Sequence, residues 1–211
     1  MKIAVLGASG TIGRRIVREA LQRGHSVTGI ARHPSRIEAA ERLRPAQADA
    51  TKSDELLRVL EGHDAVISAV GPAAGESPSM LVDATRAIAA ACMRANVHRV
   101  FIVGGAGSLA VKPGIELLAT PDFPEAWKPI ALAHREALEL WRKVKEISWT
   151  YVSPAAFIEP GERTGRYRVG HDDLLVDERG QSRISAEDYA VGLLDVLEQG
   201  AHAHERITLA Y

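Results

Sequence analysis

The chain has 211 residues, of which 46% are hydrophobic and 25% charged, and its formal net charge at pH 7 is −1. This balance is typical of a globular protein and excludes the strong positive field expected of a protein that binds nucleic acid or an anionic membrane. The single cysteine, Cys92, excludes an internal disulfide framework and favours a cytoplasmic location, and no apolar run reaches the length of a membrane span.

The first third of the chain alternates apolar runs with helical patterns. The sequence predicts strands at Lys2–Leu6, Ser26–Ala31, Ala46–Ala48 and Ala65–Val70, and helices at Thr11–Arg23, Arg36–Glu41 and Ser53–Leu60. The first strand runs directly into a glycine turn, so we expect no signal peptide.

The same alternation continues to the end of the chain. A helix is predicted to begin at Ser77-Pro78, followed by a strand at Arg99–Val103, a helix at Ala131–Val144 and a strand at Trp149–Val152. A capping signature at Ser185-Ala-Glu-Asp188 predicts a helix to Leu197, and Arg206–Tyr211 is predicted to be the last strand.

Strands that alternate with helices indicate the α/β class, with a Rossmann-type doubly wound parallel sheet covered on both faces. We expect one domain over residues 1–211. Two long stretches, 104–127 and 159–183, lack periodicity and follow strands, so we expect both at the carboxyl edge of the sheet, where such folds bind ligands. They are predicted to form a small substrate-side lobe that walls a pocket.

Three glycines lie between the first strand and the first helix, at Gly7, Gly10 and Gly13. A diphosphate needs close approach of backbone to phosphate and the free N–H groups of a helix N-terminus. We interpret Gly7 as permitting the turn, Gly10 as admitting the phosphate, and Gly13 as letting the helix pack close to the strand, while Thr11 can add a hydroxyl. The alternative is a simple strand–helix turn.

The end of the second strand bears on which dinucleotide binds. NAD-selective sites place an acid there for the ribose hydroxyls, whereas this sequence has Arg32, with Arg36 just beyond. An arginine can hold a 2′-phosphate through two hydrogen bonds, so the sequence favours NADP(H) over NAD(H). The alternative is a solvated surface arginine.

The third and fourth strands end in further candidate contacts. Asp49 and Ala50 are positioned to meet the adenine, although Asp49 could equally cap a helix. The small residues Ala69, Val70 and Gly71 leave room for a ribose, with strand packing as an equal alternative. Gly104, at the end of the fifth strand, is also predicted to contact the cofactor.

The G-x-x-G-x-x-G opening and the order of elements resemble the atypical short-chain dehydrogenase/reductase superfamily. The stretch Trp149-Thr-Tyr-Val-Ser-Pro-Ala-Ala-Phe157, the following Glu159-Pro-Gly-Glu-Arg-Thr-Gly-Arg-Tyr167 and Ser185-Ala-Glu-Asp-Tyr-Ala190 narrow the resemblance. Together they look like the bacterial NADH-flavin reductase-like proteins, which are related to NmrA-like proteins. The resemblance covers essentially the whole chain.

The resemblance implies roles for particular positions. Gly7, Ser9, Gly10, Thr11 and Ile12 would hold the diphosphate, and Arg32 the 2′-phosphate. Pro154, Ala155 and Phe157 would approach the nicotinamide, and the stretch from Glu162 to Gly165 would begin the substrate-side lobe.

The chain departs from many short-chain dehydrogenases in lacking Tyr-x-x-x-Lys, in which the tyrosine donates a proton to a carbonyl. None of the four tyrosines has a lysine four residues later, and Ala131 and Arg135 stand where the pair would be expected. Carbonyl reduction and sugar epimerisation by that route are therefore disfavoured. A flavin or quinone has milder needs, because it is already electrophilic and solvent can supply its proton.

Two residues are candidates for assisting such a reaction. His134 could donate a proton because histidine titrates near neutrality, although a surface histidine is the alternative. Ser108 follows the fifth strand, where the superfamily has a polar residue, although Gly105-Ala-Gly-Ser108 could equally be a turn.

Neither His202 nor His204 has a companion carboxylate or cysteine at ligand spacing, so the sequence predicts no metal site. We therefore expect an NADPH-dependent reductase acting on a small planar acceptor, with flavin as a substrate rather than a tightly bound group. We expect no nucleic-acid or membrane partner. The alternative function is a non-catalytic NADP(H) sensor of the NmrA-like type.

Overall fold

An eight-stranded sheet runs through the protein, whose computed structural model describes all residues from Met1 to Tyr211. The strands of the whole chain are β1 (Lys2–Leu6), β2 (Ser26–Ala31), β3 (Leu43–Gln47), β4 (Ala65–Ser68), β5 (Arg99–Val103), β6 (Ala110–Lys112), β7 (Ile115–Glu116), β8 (Ser148–Pro154), β9 (Phe157–Glu159), β10 (Arg168–Gly170), β11 (Arg183–Ser185) and β12 (Glu205–Ala210). The large sheet has the order β10-β12-β8-β5-β4-β1-β2-β3, and only β10 is antiparallel to its neighbour. This is the predicted doubly wound parallel arrangement.

Five helices cover the two faces of this sheet. They are α1 (Thr11–Gln22), α2 (Ser53–Leu60), α3 (Met80–Arg94), α4 (Lys128–Trp141) and α5 (Ala186–Gln199). Helices α1 and α5 pack together on one face, and α2, α3 and α4 pack side by side on the other. Successive residues of β1 alternate between the two cores, Ile3 and Val5 in one and Ala4 and Leu6 in the other. Burial on both faces explains why the strand reads as a continuous apolar run.

Most of the predicted elements are confirmed, with boundaries that differ by up to three residues. The predicted cap at the start of α5 is confirmed as well, because the Ser185 hydroxyl accepts a hydrogen bond from the Asp188 backbone N–H at 3.0 Å. The helix after β4 begins at Met80 rather than at Ser77-Pro78. The backbone N–H groups of residues 80–82 instead donate to the carbonyls three residues earlier. One tight turn of the 3₁₀ type therefore precedes the helix.

The predicted helix at Arg36–Glu41 is wrong. The structure has only a single 3₁₀ turn, Pro34–Arg36, and irregular chain follows it as far as β3. Glu38, Ala39 and Ala40 are exposed and only Ile37 packs against the core, so a helix here would bury little apolar surface. An isolated helix this short is marginal in water without such packing.

The predicted lobe differs from the structure in a specific way. Stretch 104–127 contains the hairpin β6–β7, and stretch 159–183 contains β10, which extends the main sheet alongside β12. The two stretches meet where the Ala110 N–H donates to the Asp172 carbonyl at 2.8 Å. Because β10 runs antiparallel to β12, it carries the chain away from the carboxyl edge, so the expectation that the whole of 159–183 lies at that edge is wrong.

Candidate functional site

The carboxyl ends of β1, β2, β4 and β5 meet at an open cavity of about 750 Å³. The chain order reverses between β1 and β4, and open α/β sheets bind ligands at such a switch point. Most predicted site residues line this cavity: Gly7, Ser9, Gly10, Thr11, Ile12, Arg32, Arg36, Asp49, Ala50, Ala69, Val70, Gly71, Gly104 and His134. Five predicted site residues are absent from the cavity lining: Gly13, Ser108, Pro154, Ala155 and Phe157. Among the residues of the two long stretches, only Gly104 lines the cavity. The expectation that both stretches wall the pocket is therefore corrected.

The glycine turn forms the wall of the cavity that follows β1. Gly7 has a φ of 74°, and a Cβ at this position would overlap the carbonyl oxygen of Ala69 on the neighbouring strand. Gly10 is the N-cap of α1 and has no side chain to cap the helix. The N–H groups of Thr11 and Ile12 find no acceptor within the protein, and both residues line the cavity. Uncapped donors at the positive end of a helix dipole suit a diphosphate.

Gly13 lies one turn further along α1 and contributes to packing. A Cβ at Gly13 would overlap the carbonyl carbon and oxygen of Gly7. The start of α1 therefore packs directly against the turn, which holds the free N–H groups beside the end of β1. This is the packing role that the sequence predicted for Gly13.

Arg32 follows β2 and contacts Glu76, an acidic residue 44 positions further along the chain. Both terminal nitrogens of Arg32 donate to the carboxylate of Glu76, one of them at 3.1 Å to Oε2. The same Oε2 accepts the backbone N–H of Ala73 at 2.7 Å. Arg32 and the Ala73 N–H together hold the pKa of Glu76 below its usual value. The guanidinium at the predicted phosphate position is thus already paired with an anion.

Asp49 holds a turn rather than a helix end. Its Oδ1 accepts the backbone N–H of Thr51 at 2.9 Å and the hydroxyl of Thr51 at 2.8 Å. The Thr51 backbone hydrogen bond is the main reason that the pKa of Asp49 is lowered. The N-cap of α2 is Lys52, and no side chain caps this helix, so the alternative of Asp49 as its cap is not realised. Asp49 is an ionised group on the cavity wall.

His134 lines the cavity and forms a pair with Tyr151, which is buried behind it. The Nδ1 of His134 lies 3.1 Å from the Tyr151 hydroxyl, which donates to the His134 carbonyl at 3.0 Å. The chain after β5 is shaped around this pair. A Cβ at Gly104 would overlap the Tyr151 ring, and one at Gly105 would lie 2.9 Å from the His134 ring.

The predicted role of His134 as an acid that titrates near neutrality is corrected by this environment. Burial lowers the pKa of His134 to about 4, because no carboxylate compensates for the lost hydration of the charged ring. Burial also places the pKa of Tyr151 well above its ordinary value. Both side chains are therefore neutral at physiological pH, and each can take part only through neutral hydrogen bonds.

Ala131, the residue expected where many short-chain dehydrogenases carry a tyrosine, lies on α4 and is buried. A Cβ at Gly107 would lie 2.6 Å from the Cβ of Ala131, so the loop after β5 packs closely over this position. Four residues later, Arg135 pairs with Glu116 of β7 at 2.9 Å. Neither residue offers a proton-donating hydroxyl to the cavity.

Ser108 lies outside the cavity in a buried ion-pair network. Its hydroxyl and its carbonyl oxygen both accept hydrogen bonds from Arg206, which in turn donates to Asp172 at 2.7 Å. Arg206 is only 8% exposed. The Ser108 side chain therefore stabilises the loop over β12, and the structure does not bring it to the other candidate residues.

Three predicted nicotinamide contacts follow or end β8. Pro154 and Ala155 are buried, whereas Phe157 is 60% exposed and contacts Trp127, itself 48% exposed, edge to face at 6.4 Å between ring centroids. Trp127 directly precedes α4, and His134 lies two helical turns further on, on the same side of the helix. An exposed aromatic pair therefore lies beyond the His134 end of the cavity.

The sequence predicts no metal site, and the structure brings together three side chains that the prediction did not combine. His202 lies beside Glu205, and His171 from the end of β10 joins them, so that two imidazoles and one carboxylate converge. Glu205 lies three residues after His202 and could have been found from this spacing. No local pattern in the sequence places His171 beside them. His204 points elsewhere and packs edge to face on Trp149.

The sequence matches the family described as NAD(P)H-binding over residues 7–199. This range contains the glycine turn, the cavity and the last helix. The chain belongs to the NAD(P)H-binding family. No helix of this family member combines the length and the apolar character needed to cross a membrane.

Solved structures of similar proteins extend over the whole chain. A Burkholderia pseudomallei protein named as a candidate exported protein is 45% identical, with full coverage of both chains and a TM-score of 0.92. A Bacteroides thetaiotaomicron protein named as a candidate epimerase is 43% identical over 100% of this chain and 96% of its own, with a TM-score of 0.92. A Streptococcus pneumoniae protein named as a candidate NADH-flavin reductase is 39% identical over 100% and 99%, with a TM-score of 0.89.

These neighbours share the Rossmann fold of this NAD(P)H-binding chain, which confirms the predicted fold class and family resemblance. Their names differ in activity, so the chemistry at the cavity has to be argued from the residues of this chain. Sequence reasoning missed two of those residues. Glu76 carries no local signal, and Tyr151 was noticed only for lacking a following lysine, although Gly104 and Gly105 mark the space that its pair with His134 requires.

Proposed function

We propose that this NAD(P)H-binding chain is an NADPH-dependent reductase that passes a hydride to a small planar acceptor such as a flavin. The observation that carries the proposal is the composition of the cavity. The glycine turn offers uncapped helix donors, and His134 on the cavity wall is neutral and paired with the buried, neutral Tyr151, so neither is an acid that could protonate a carbonyl. When bound, the dinucleotide supplies the hydride. Planar acceptors need stacking and exclusion of side reactions rather than a protein acid.

Different residues of the cavity would contact different parts of the proposed cofactor. The Thr11 and Ile12 N–H groups would hold the diphosphate, with Gly10 leaving space for it. The small residues at the end of β4, Ala69 to Gly71, would lie along a ribose. Asp49, ionised and beside Arg32, would mark the adenosine end. This order leaves the His134 end of the cavity for the nicotinamide.

An epimerase activity receives less support from this geometry. Epimerisation through a bound nicotinamide removes and returns a hydride at a substrate alcohol, and the alcohol must lose and regain a proton. Ala131 has no hydroxyl, Arg135 is paired with Glu116, and Tyr151 is fixed between the ring and the carbonyl of His134. None of these three residues is therefore suited to move that proton.

Steady-state oxidation of NADPH, followed at the nicotinamide absorbance band, tests the proposal. FMN, FAD and a quinone would be offered separately under anaerobic conditions, with the Gly10→Val variant as the blank. Turnover above this blank would support the reductase. Tight NADPH binding with no turnover on any acceptor would overturn it and favour a sensor that binds the cofactor without chemistry.

The aromatic pair leads to a prediction about the acceptor. Trp127 ends the long stretch after β5 and Phe157 begins β9, and exposed rings are suited to stack on a planar molecule. Phe157→Ala should raise the KM for the acceptor roughly tenfold, by removing a stacking contact of about 1–1.5 kcal/mol. The affinity for NADPH, measured without acceptor, should stay unchanged.

Val169→Ala provides a matched control, because Val169 is a comparably exposed apolar residue on β10. If Phe157→Ala and Val169→Ala leave the KM for the acceptor equally unaffected, the aromatic pair does not form the acceptor site.

The depressed pKa of His134 predicts how stability depends on pH. The folded protein keeps His134 neutral down to about pH 4, whereas the unfolded chain takes up a proton near the ordinary histidine pKa of about 6.5. The stabilising contribution is therefore present above about pH 6.5 and is lost as the pH falls toward 4. Between pH 7.5 and 5, this residue should account for about 1–2 kcal/mol of lost unfolding free energy.

Urea unfolding at both pH values would measure this contribution in the wild type, His134→Gln and the control His98→Gln. His98 is exposed and pairs only with Asn96. The loss of stability on acidification should shrink in His134→Gln alone. An unchanged loss in that variant would show that His134 titrates normally in the folded protein.

A further inference from the structure

We propose that His171, His202 and Glu205 form a binding site for a divalent transition metal, with Zn²⁺ as the best-suited ion. Their ligand atoms all lie within 4.8 Å of one another. Glu205 is the first residue of β12, and His171 directly follows β10 on the adjacent edge of the sheet. The site lies at the amino-terminal end of β12 and is separate from the cofactor cavity, which lies at the carboxyl ends of the strands.

One of the two nitrogen–oxygen distances in the cluster matches the spacing that a zinc ion needs. Zinc bonds of about 2.0–2.2 Å to nitrogen and oxygen place tetrahedral donors about 3.3–3.6 Å apart. Nδ1 of His171 lies 3.6 Å from Oε2 of Glu205, within this range, and Nδ1 of His202 lies 2.6 Å from Oε1 of the same carboxylate, at hydrogen-bond distance. The two imidazoles thus flank one carboxylate, and a bound ion would replace the His202–Glu205 hydrogen bond.

The backbone holds these side chains in place before any ion binds. His202 has a φ of 63°, a conformation that is uncommon for residues other than glycine. Its carbonyl oxygen accepts the Thr150 hydroxyl at 2.7 Å, and the His171 carbonyl accepts the Thr208 hydroxyl at 2.6 Å. Both histidines are therefore fastened to strands of the main sheet, so ordering the ligands adds little entropic cost to binding.

The charges around the cluster favour a cation. Glu205 contributes a negative charge, and the guanidinium groups of Arg206 and Arg142 pair with other acids, Arg206 with Asp172 and Arg142 with Glu139 and Asp172. Two imidazole nitrogens select zinc and other late first-row metals over Mg²⁺ and Ca²⁺, which prefer oxygen ligands. The side chain of His171 is 63% exposed, so an ion can enter from solvent.

A bound ion would fasten the end of β10 to the start of β12. These segments are 34 residues apart in sequence, between His171 and Glu205, and β10 is the edge strand of the sheet. Three protein ligands leave the fourth position to water. The site would thus stabilise the sheet edge.

Titration of the metal-free protein with Zn²⁺ alone, in the absence of nucleotide, tests the proposal. Calorimetry should give one saturable site. His171→Ala and Glu205→Gln should each weaken that site at least tenfold, while His98→Ala, which removes an exposed histidine outside the cluster, should not change it. Saturating Zn²⁺ should raise the thermal midpoint of the wild type by about 5 °C, and Mg²⁺ should not.

Circular dichroism would establish that each variant is folded before titration. Absence of a saturable zinc site in the wild type would overturn the proposal. So would equal zinc affinity in His171→Ala, Glu205→Gln and His98→Ala, since the ion would then bind elsewhere. Neither result depends on whether the protein reduces an acceptor, because no nicotinamide is present.

Discussion

Replacing Gly10 with valine is expected to abolish binding of NADPH and NADH alike, by more than about a hundredfold, while the fold is retained. The proposed diphosphate position is bounded by Gly10 and by the free N–H groups of Thr11 and Ile12. A valine side chain would fill this space and keep any anion away from the helix N-terminus. The loss should be the same for both dinucleotides because they share the diphosphate.

The backbone at Gly10 tolerates the substitution. Its φ of −77° is accessible to any residue, and a Cβ would have only the Gly7 carbonyl oxygen nearby, at 3.2 Å. Valine at an N-cap costs about 1 kcal/mol of stability relative to glycine. Fluorescence titration with each cofactor would measure affinity, and thermal unfolding would verify the fold.

Gly10→Ala provides the matched comparison, because a single methyl group intrudes less. We expect its affinities to lie between those of the wild type and Gly10→Val. Wild-type affinity in a folded Gly10→Val variant would contradict a diphosphate position at this turn.

Arg32→Ala and Glu76→Gln should change the affinity for NADPH in opposite directions. The two terminal nitrogens of Arg32 are suited to a phosphate but donate to the Glu76 carboxylate in this structure. Arg32→Ala removes about 1.5–3 kcal/mol of charge-assisted hydrogen bonding, which is a loss of about 10–100-fold in NADPH affinity. NADH, which lacks the 2′-phosphate, should bind Arg32→Ala nearly as well as the wild type.

Glu76→Gln should strengthen NADPH binding severalfold. The wild-type carboxylate competes with the phosphate for Arg32 and adds a like charge beside it, whereas glutamine does neither. The gain should be modest, since an ion pair at a half-exposed site is worth only about 1 kcal/mol. NADH affinity should not rise with it.

Asp83→Asn is the control for a general charge effect, because Asp83 also lines the cavity but pairs with Arg86. Titration of all variants with both cofactors at one ionic strength would decide the matter. Equal losses for NADPH and NADH in Arg32→Ala would contradict the phosphate role, and an unchanged NADPH affinity in Glu76→Gln would contradict the competition.

The fold of this protein could be predicted almost entirely from local sequence. Lys2–Leu6 reads as a strand because both of its faces are buried, and Ser185 reads as a helix cap because its partner, Asp188, is three residues away. The error at Arg36–Glu41 came from helical composition in a segment of which only Ile37 packs against the core. The glycine turn could be predicted equally well, because the constraints on a side chain at Gly7, Gly10 and Gly13 all arise within one short connection.

Contacts between distant segments decided the rest. Glu76 meets Arg32 across 44 residues, and this pairing alters the argument for NADPH that Arg32 alone supported. Tyr151 has no lysine partner and instead forms a hydrogen bond with His134. Loss of hydration keeps the His134 ring neutral. His171 reaches His202 and Glu205 only because β10 folds back along β12.

The sequence by itself thus determined the order of elements, the parallel sheet and the place of the glycine turn, because periodicity, capping and glycine conformation act over a few residues. Only the tertiary structure decided which charges pair, which histidine is buried and which ligands converge. Those properties depend on distance and desolvation between segments far apart in the chain, and no local pattern of residues specifies them.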